Sequence, residues 1–453
     1  MRFANYSALS VRTSLVGLIV LGCALALVAG GHSSAYAQVT TVLVKGDPAP
    51  IAAGVYKGFR RPVASDAPLA SLAFESKVRS AVLGGVRGIF ADDPIGAGSA
   101  VVLRGDISPS GHQFRRLSRP SANALGDVWY QARLSGSERG EYGVSGTESS
   151  VVGMPAPAPA AGVLDNFSRP ATSGNGDVVF HATIAGAATI SGIMADELIM
   201  RCTGGDRDCN GGTGTPELLV LKTDPIPDRP GRIICDLGEG VGASTFGIAF
   251  RATTKLDCTD IGEVALDGVF RLAFGGAIET VALTGEMSNP SPFVGGTSYN
   301  QFDSVPAIED DGIVAFAAAT TGVQISDFIF RCDPGLCPVA PAEVWVESGE
   351  VDASGYALSR FDAIGINDAA DVVFWSLARS VLSGQGPAIY VKRDGTGTFE
   401  RIAGKGDQVP DQLLGSVFGK VRLPSMSPGG RIVWRSKMKR VVGGGTDALF
   451  LYE

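Results

Sequence analysis

Along most of the chain, apolar residues alternate with others at a spacing of two. Seven segments obey one rule. An aromatic residue stands at Phe74, Tyr130, Phe180, Phe250, Phe316, Phe374 and Trp434. Two residues before each is an aliphatic side chain: Leu72, Val128, Val178, Ile248, Val314, Val372 or Ile432. Two residues after each is a small one: Ser76, Ala132, Ala182, Ala252, Ala318, Ser376 or Ser436. A spacing of two puts all three on one face of a β-strand. The set tapers from aliphatic through aromatic to small, which suits packing against a neighbouring sheet.

Other strand patterns recur in phase with this one. A second type reads GIFAD, LIMRC, GVFRL, FIFRC, AIYVK and ALFLY, with a degenerate copy at EYGVS. A third reads VLVKGD, VVLRGD, LVLKTD and VALTGE. A fourth, as in HQFRRLSRP and NQFDSVPA, leads into the next aromatic strand. Pro120, Pro170, Pro306 and Pro424 each stand ten residues before the aromatic. The mean repeat is about 60 residues, enough for four short strands and their turns. Seven units of four strands predict an all-β, seven-bladed β-propeller, in which radial repetition leaves only short edges. The alternatives are a six- or eight-bladed ring, or an open solenoid. The chain begins with the third strand type and ends with the second. The ring is therefore expected to close with N-terminal strands filling the missing half of the last blade.

Each third-type strand ends in a small-acid phrase: Gly46-Asp47, Gly105-Asp106, Thr223-Asp224, Gly285-Glu286, Gly349-Glu350 and Gly406-Asp407. Gly permits a positive φ and Asp can bond to nearby backbone, so the phrase reads as an exit turn. In the seventh copy Met154 replaces the acid, which fits a turn better than a catalytic or metal ring.

The first residues change the compartment. Arg2 and Arg12 precede an apolar run from Leu15 to Ala29, and Ala35 and Ala37 form a small-residue cleavage box. This is the pattern of a signal peptide cut after Ala37. Residues 38–453 are then one propeller domain, secreted or periplasmic, with no membrane span after cleavage. A formal net charge of −8 without a basic block excludes a nucleic-acid role. The expected partner is an extracellular ligand, glycan or protein, and a monomer is expected.

After cleavage six cysteines remain, an even number that reads as disulfides in an exported chain. MRCTGGDRDC and FRCDPGLC occupy the same repeat position. Their parallel predicts Cys202–Cys209 and Cys332–Cys337, leaving Cys235 to pair with Cys258. Within the first of these loops, Asp206, Asp208, Asn210, the Gly212 carbonyl and Glu217 follow a calcium-loop spacing: oxygen ligands at alternating positions, then a late carboxylate. Calcium is the one candidate cofactor. An Asp/Gly-rich insertion without metal would look the same.

LPSMSPGGRIVWRSK resembles the Pro-x-x-Ser-Pro-Asp-Gly repeat of TolB-type periplasmic propellers, with Gly429 at the usual Asp. GINDAADVVFWS and AIEDDGIVAFAA resemble the Asn-Asp-x-Gly-x-Val-x-Phe-x-Ala repeats of uncharacterised exported bacterial tandem-repeat proteins. The resemblance implies a propeller and export, and carries no catalytic residue.

Candidate chemistry is sparse. Only His112 and His181 remain after cleavage, and His181 reads as an outward-facing strand residue. Arg61, Arg119, Arg169 and Arg422 stand beside the repeat Pro. On one rim they could bind sugar acids or other carboxylates bidentately; otherwise they solvate turns. Two functions follow: a binding or scaffold module without enzymatic activity, or a carbohydrate-active hydrolase or lyase. A deep axial pocket with two close carboxylates or three convergent arginines would mark the enzyme. A shallow face of Ser, Thr and Gly would mark binding or structure.

Overall fold

The period-two segments form strands throughout, in seven antiparallel sheets of four main strands each. The computed structural model describes residues 39–453 other than 68–71, 93–98, 124–125, 137–138, 146, 154–161, 191, 204–216, 290–296, 322–325, 338–341, 381–383, 411–414 and 440–445. Counting from the axis, the first strands are Gly54–Ala64, Phe114–Ala122, Val163–Phe167, Ile233–Ala243, Thr297–Phe302, Ala357–Ile366 and Val417–Val421. The second strands are Leu72–Ser80, Val128–Leu134, Val178–Ala185, Gly247–Lys255, Val314–Thr321, Val372–Ser380 and Ile432–Lys439. The third are Gly84–Asp92, Arg139–Ser145, Glu197–Cys202, Leu266–Ala273, Ser326–Cys332, Gly384–Lys392 and Thr446–Tyr452. The outermost are Ser99–Leu103, Thr147–Gly153, Glu217–Leu221, Ile278–Leu283, Glu343–Glu347, Phe399–Gly404 and, from the other end of the chain, Val39–Val44. These sheets are blades 1 to 7 of a β-propeller.

The repeat aromatics are the centre of each blade. Each faces a third-strand residue in register: Phe74 opposite Phe90, Tyr130 opposite Tyr142, Phe250 opposite Phe270, Phe316 opposite Phe330, Phe374 opposite Tyr390, Trp434 opposite Phe450. All six pairs stack, with ring planes 19–27° apart. Blade 3 puts Met200 opposite Phe180. A first-strand aromatic such as Phe59, Phe167 or Phe361 meets the stack edge-on. The small residue two positions on leaves room for it.

The opposite face of each blade packs on the next blade's aromatics. Ala73, Ile89 and Val102 of blade 1 cluster with Tyr130 of blade 2. Val179, Ile199 and Val220 cluster with Phe250, and Ala315, Ile329 and Val346 with Phe374. Val433, Leu449 and Leu451 of blade 7 pack on Phe74 of blade 1, which closes the ring. Each first strand, or the short bridge continuing it, touches those of both neighbours all the way round.

Closure uses less chain than the sequence suggests. The N-terminus contributes one strand, not half a blade: Val39–Val44 pairs antiparallel with the last strand, from Val39 opposite Tyr452 to Val44 opposite Ala448. Gly46, at φ +109°, then turns the chain away, and Pro48–Ala49 pairs with Gly54–Val55 in blade 1. The turn is built as expected: the Asp47 carboxylate accepts from the Val44 amide at 2.6 Å. Asp106 and Asp224 repeat the bond to Leu103 and Leu221 at 2.8 and 2.7 Å. Met154 lies outside the described residues.

Cys235–Cys258 and Cys332–Cys337 are disulfides, with Cα separations of 5.4 and 6.1 Å. Cys202 is also disulfide-bonded, while Cys209 lies outside the described residues, as does the expected signal peptide. Among the described residues no helix is long and apolar enough to cross a membrane.

Deleting residues 39–44 removes the Val42 and Leu43 cover from the blade 7–blade 1 seam. The expected loss is on the order of a few kcal/mol, read as a lower melting temperature. An unchanged melt would show that this strand does not close the ring.

Candidate functional site

The seven first strands enclose an axial cavity of about 990 Å³. They run side by side in one direction, because equivalent residues of neighbouring blades bond each other. Ser65 Oγ donates to the Asn123 carbonyl at 2.7 Å, and Thr172 Oγ1 to the Ala122 carbonyl at 2.8 Å. Position along a first strand therefore gives depth in the cavity.

Every first strand is interrupted at one level. In blades 1, 2, 4 and 6 the register breaks, between Arg60 and Val63, Ser118 and Ser121, Leu237 and Val241, and Asp362 and Gly365. In blades 3, 5 and 7 the strand stops and resumes as a short bridge, at Ala171–Thr172, Ala307–Ile308 and Ser425–Met426. The repeat Pro sits in this gap, where no ladder donor is needed. Arg61 and Ala363 adopt positive φ there, +46° and +48°. The residues at the break line the cavity.

That level carries the arginines. Arg61, Arg169 and Arg422 line one end of the cavity, with Arg60 and Arg116 beside them. They come from blades 7, 1, 2 and 3. Blades 4, 5 and 6 place Glu239, Asp303 and Asp362 on the same lining. Arg119, also expected here, lies at the same break. Arg60 approaches Glu75 at 3.9 Å. Arg116 and Arg422 are exposed and make no side-chain hydrogen bond or ion pair among the described residues. The middle of the cavity is apolar, with Val63, Ile308, Ile366 and Met426.

The far end, where first strands turn into second strands, is acidic, and its acids hold turns together. Asp66 of blade 1 accepts from the Gly429 amide of blade 7 at 2.7 Å. Asp310 of blade 5 accepts from the Thr245 amide of blade 4 at 2.8 Å. Glu309 takes the Asp311 and Ile313 amides of its own turn. Gly429 departs from the TolB-type pattern for a visible reason: a Cβ there would lie 2.6 Å from the Asp66 carboxylate. Desolvation at this mouth, followed by the charges of Asp310, Glu309, Asp66 and Asp311, pushes Asp368 up to about 6.

A second cavity, of about 310 Å³, adjoins the arginine end between blades 2 and 3. It shares Arg61, Arg116 and Glu239 with the first and adds Arg133, Arg139, Asn166 and His181. His181 corrects the sequence reading: it is 7 % exposed, not outward-facing. The face it occupies packs toward the next blade, so a residue beside the central aromatic is covered. Its Nε2 lies 3.8 Å from Glu197 Oε2. Burial opposes the charge on Glu197, but His181, the Leu237 amide, Lys222 and Asp236 hold its carboxyl well below the usual range. Desolvation and then Glu197 push Asp236 up to about 6.

Of the expected calcium ligands, Asp206, Asp208, Asn210 and Gly212 lie outside the described residues. Glu217 accepts from Arg201 Nη1 at 3.2 Å. Arg116, Arg133, Arg139, His181 and Glu239 were not singled out for this site from the sequence. One signal was available for His181. The position after the central aromatic varies as Glu75, Gln131, His181, Arg251, Ala317, Trp375 and Arg435 within an otherwise regular repeat.

An Asp raised in the folded state binds its proton more tightly folded than unfolded. The Asp368 penalty is absent below about pH 4 and grows as pH rises through about 6. Asp368→Asn is therefore expected to raise the melting temperature at pH 8 and leave it unchanged at pH 4. A pH-independent effect would contradict this origin.

No protein-family model and no curated protein matches the chain. Solved structures similar to it include the Dos1 propeller, at 8 % identity, covering 90 % of this chain and 95 % of that one, TM-score 0.37. A PL25 ulvan lyase bound to a GlcA–Rha3S repeat is similar at 11 % identity, 90 % and 95 % coverage, TM-score 0.37. The β-propeller domain of the Trilobed protease from Pyrococcus furiosus is similar at 11 % identity, 76 % and 97 % coverage, TM-score 0.33. Likenesses this distant say nothing of ligand or activity.

Proposed function

We propose that this chain is an exported binding propeller whose axial cavity takes an acidic ligand at its arginine end. One observation carries the reading: arginines from four consecutive blades line that end, and Arg116 and Arg422 among them make no ion pair with described residues. Arginine presents a planar fork of donors that fits carboxylate and sulfate oxygens in pairs. The cavity is open enough for a sugar chain, and its apolar middle would contact the uncharged faces of the rings. Arg61 and Arg169 make further interactions within the protein, which hold part of the cluster in place without a ligand.

An enzyme of the hydrolase or lyase kind is the second reading. The depth of the cavity and the convergence of Arg61, Arg169 and Arg422 favour it. Catalysis would also require a proton acceptor or acid pair at the reacting carbon. Glu75, Glu239, Asp303 and Asp362 are acids on the same lining, with Glu309, Asp310 and Asp368 at the far end. Calcium in the 206–217 loop belongs to the proposal as a stabilising ion.

The test titrates the full chain with oligogalacturonate, sulfated dextran and neutral dextran, with calcium and with a chelator. Acidic sugars are expected to bind and neutral dextran not to bind. Arg422→Gln should weaken binding roughly tenfold, and salt should weaken it further. Equal binding of neutral and acidic chains would sink the proposal. New reducing ends or unsaturated-sugar absorbance would favour the enzyme. Melting and affinity indifferent to chelation would remove the calcium.

A further inference from the structure

The pocket between blades 2 and 3 contains an arrangement that a resting protein has reason to avoid. Arg116 on the first strand of blade 2 and Arg133 on the second are direct register partners. Both side chains line the pocket, so two like charges stand opposite each other on one sheet face. Such pairs destabilise a sheet unless an anion lies between them. Neither makes a side-chain hydrogen bond or ion pair among the described residues.

The rest of the wall fits the same occupant. Arg61 enters from blade 1, and Arg139 is held by Asn166, whose Oδ1 accepts from Arg139 Nη1 at 3.0 Å. His181 forms part of the wall, with Glu197 Oε2 3.8 Å from its Nε2. Glu239 is the acid on the lining. Four arginines against one carboxylate leave the pocket strongly positive. At about 310 Å³ it is at the small end of ligand pockets and suits one substituted sugar unit.

We infer that this pocket is a subsite for a single oxyanion, a carboxylate or sulfate ester on a sugar, seated between Arg116 and Arg133. The inference rests on the reading of an acidic ligand at the arginine end of the axial cavity. It adds that one acidic group leaves the axis and enters the blade 2–blade 3 pocket. Arg133 lines this pocket but not the axial cavity, whereas Arg422 lines the axial cavity but not this pocket. The two residues therefore separate the two claims.

The full chain carrying Arg133→Gln, Arg133→Lys or Arg422→Gln is titrated with oligogalacturonate, which carries only carboxylates, and with sulfated dextran, which carries only sulfates. Arg133→Gln is expected to lose roughly tenfold in affinity for whichever acid the pocket holds. Arg133→Lys, which keeps the charge but not the fork, should fall between. Arg133→Gln should melt no lower than the parent, because it relieves the like-charge pair. Inorganic sulfate or acetate should shift the His181 imidazole resonance and leave that of His112 in place. If Arg422→Gln weakens binding while Arg133→Gln leaves both titrations unchanged, the subsite is overturned and the axial reading stands. If neither variant weakens binding, both are overturned. A marked drop in melting temperature for Arg133→Gln would also overturn the subsite, since Arg133 would then be a structural partner.

Discussion

The stacked pair at the centre of each blade is the contact on which the rest of this protein depends. A strand of aliphatic, aromatic and small side chains can bury all three only if a neighbour strand offers a flat surface in register. The third strand does so in six blades with another aromatic ring, and in blade 3 with Met200. Offset rings of this kind add attraction beyond the area they bury. Because the pair fills only one face, the other must be covered by the next blade. Repeating that requirement seven times leaves one uncovered face at each end of the chain. Closing Val433, Leu449 and Leu451 onto Phe74 removes both.

Closure fixes the axis, and the axis creates the cavity. The first strands do not keep a continuous ladder at the level of the arginines. All seven break there, by a bulge or by stopping and resuming. The break frees backbone that Pro can occupy and turns neighbouring side chains inward. The interruption produces a belt of positions at one depth whose side chains need not serve the core. Arg61, Arg169 and Arg422 occupy that belt. At the other end the same first strands enter tight turns, where Asp66 and Asp310 clasp amides of neighbouring blades and Glu309 those of its own turn.

Strand types, their order and the blade count were legible in the sequence because the aromatic rule is local and repeats without exception. The exit turns were legible too, since Gly46 and Asp47 need only each other and the preceding strand. The Cys332–Cys337 disulfide followed from the repeat position of its cysteines, and Cys235–Cys258 from the two that this left over. What failed depended on neighbours far away in the chain. His181 looked exposed because an isolated strand has an outer face, and only the next blade covers it. The half-blade was instead a miscount: Val417–Val421, Ile432–Lys439 and Thr446–Tyr452 already supply three strands of the last blade, and only the third-type strand is left for Val39–Val44. Gly429 looked like a lost motif residue, yet its missing side chain makes room for Asp66 from the opposite end of the sequence. The arginines beside the repeat Pro were visible, but their shared end of the cavity required the ring.

A symmetric fold also indicates where to look for function. Where all seven blades agree, as at the aromatic, a residue serves the architecture. Where an inward-facing position varies, the architecture does not dictate it. The break level carries Arg60, Arg61, Arg169 and Arg422 on blades 7, 1 and 3, and Glu239, Asp303 and Asp362 on blades 4, 5 and 6. The signs are not cleanly divided: Glu75 lies 3.9 Å from Arg60, and Arg251 and Arg360 act on Asp303. Arg116 and Arg422, without an ion pair among the described residues, leave positive charge that a negatively charged ligand could neutralise. The same logic extends sideways to Arg116 and Arg133, where two like charges share one face of blade 2. These departures from the repeat lie next to one another, on the cavity and the pocket that adjoins it. Their contiguity, more than any single residue, is what supports the proposal of a ligand site at that end of the axis.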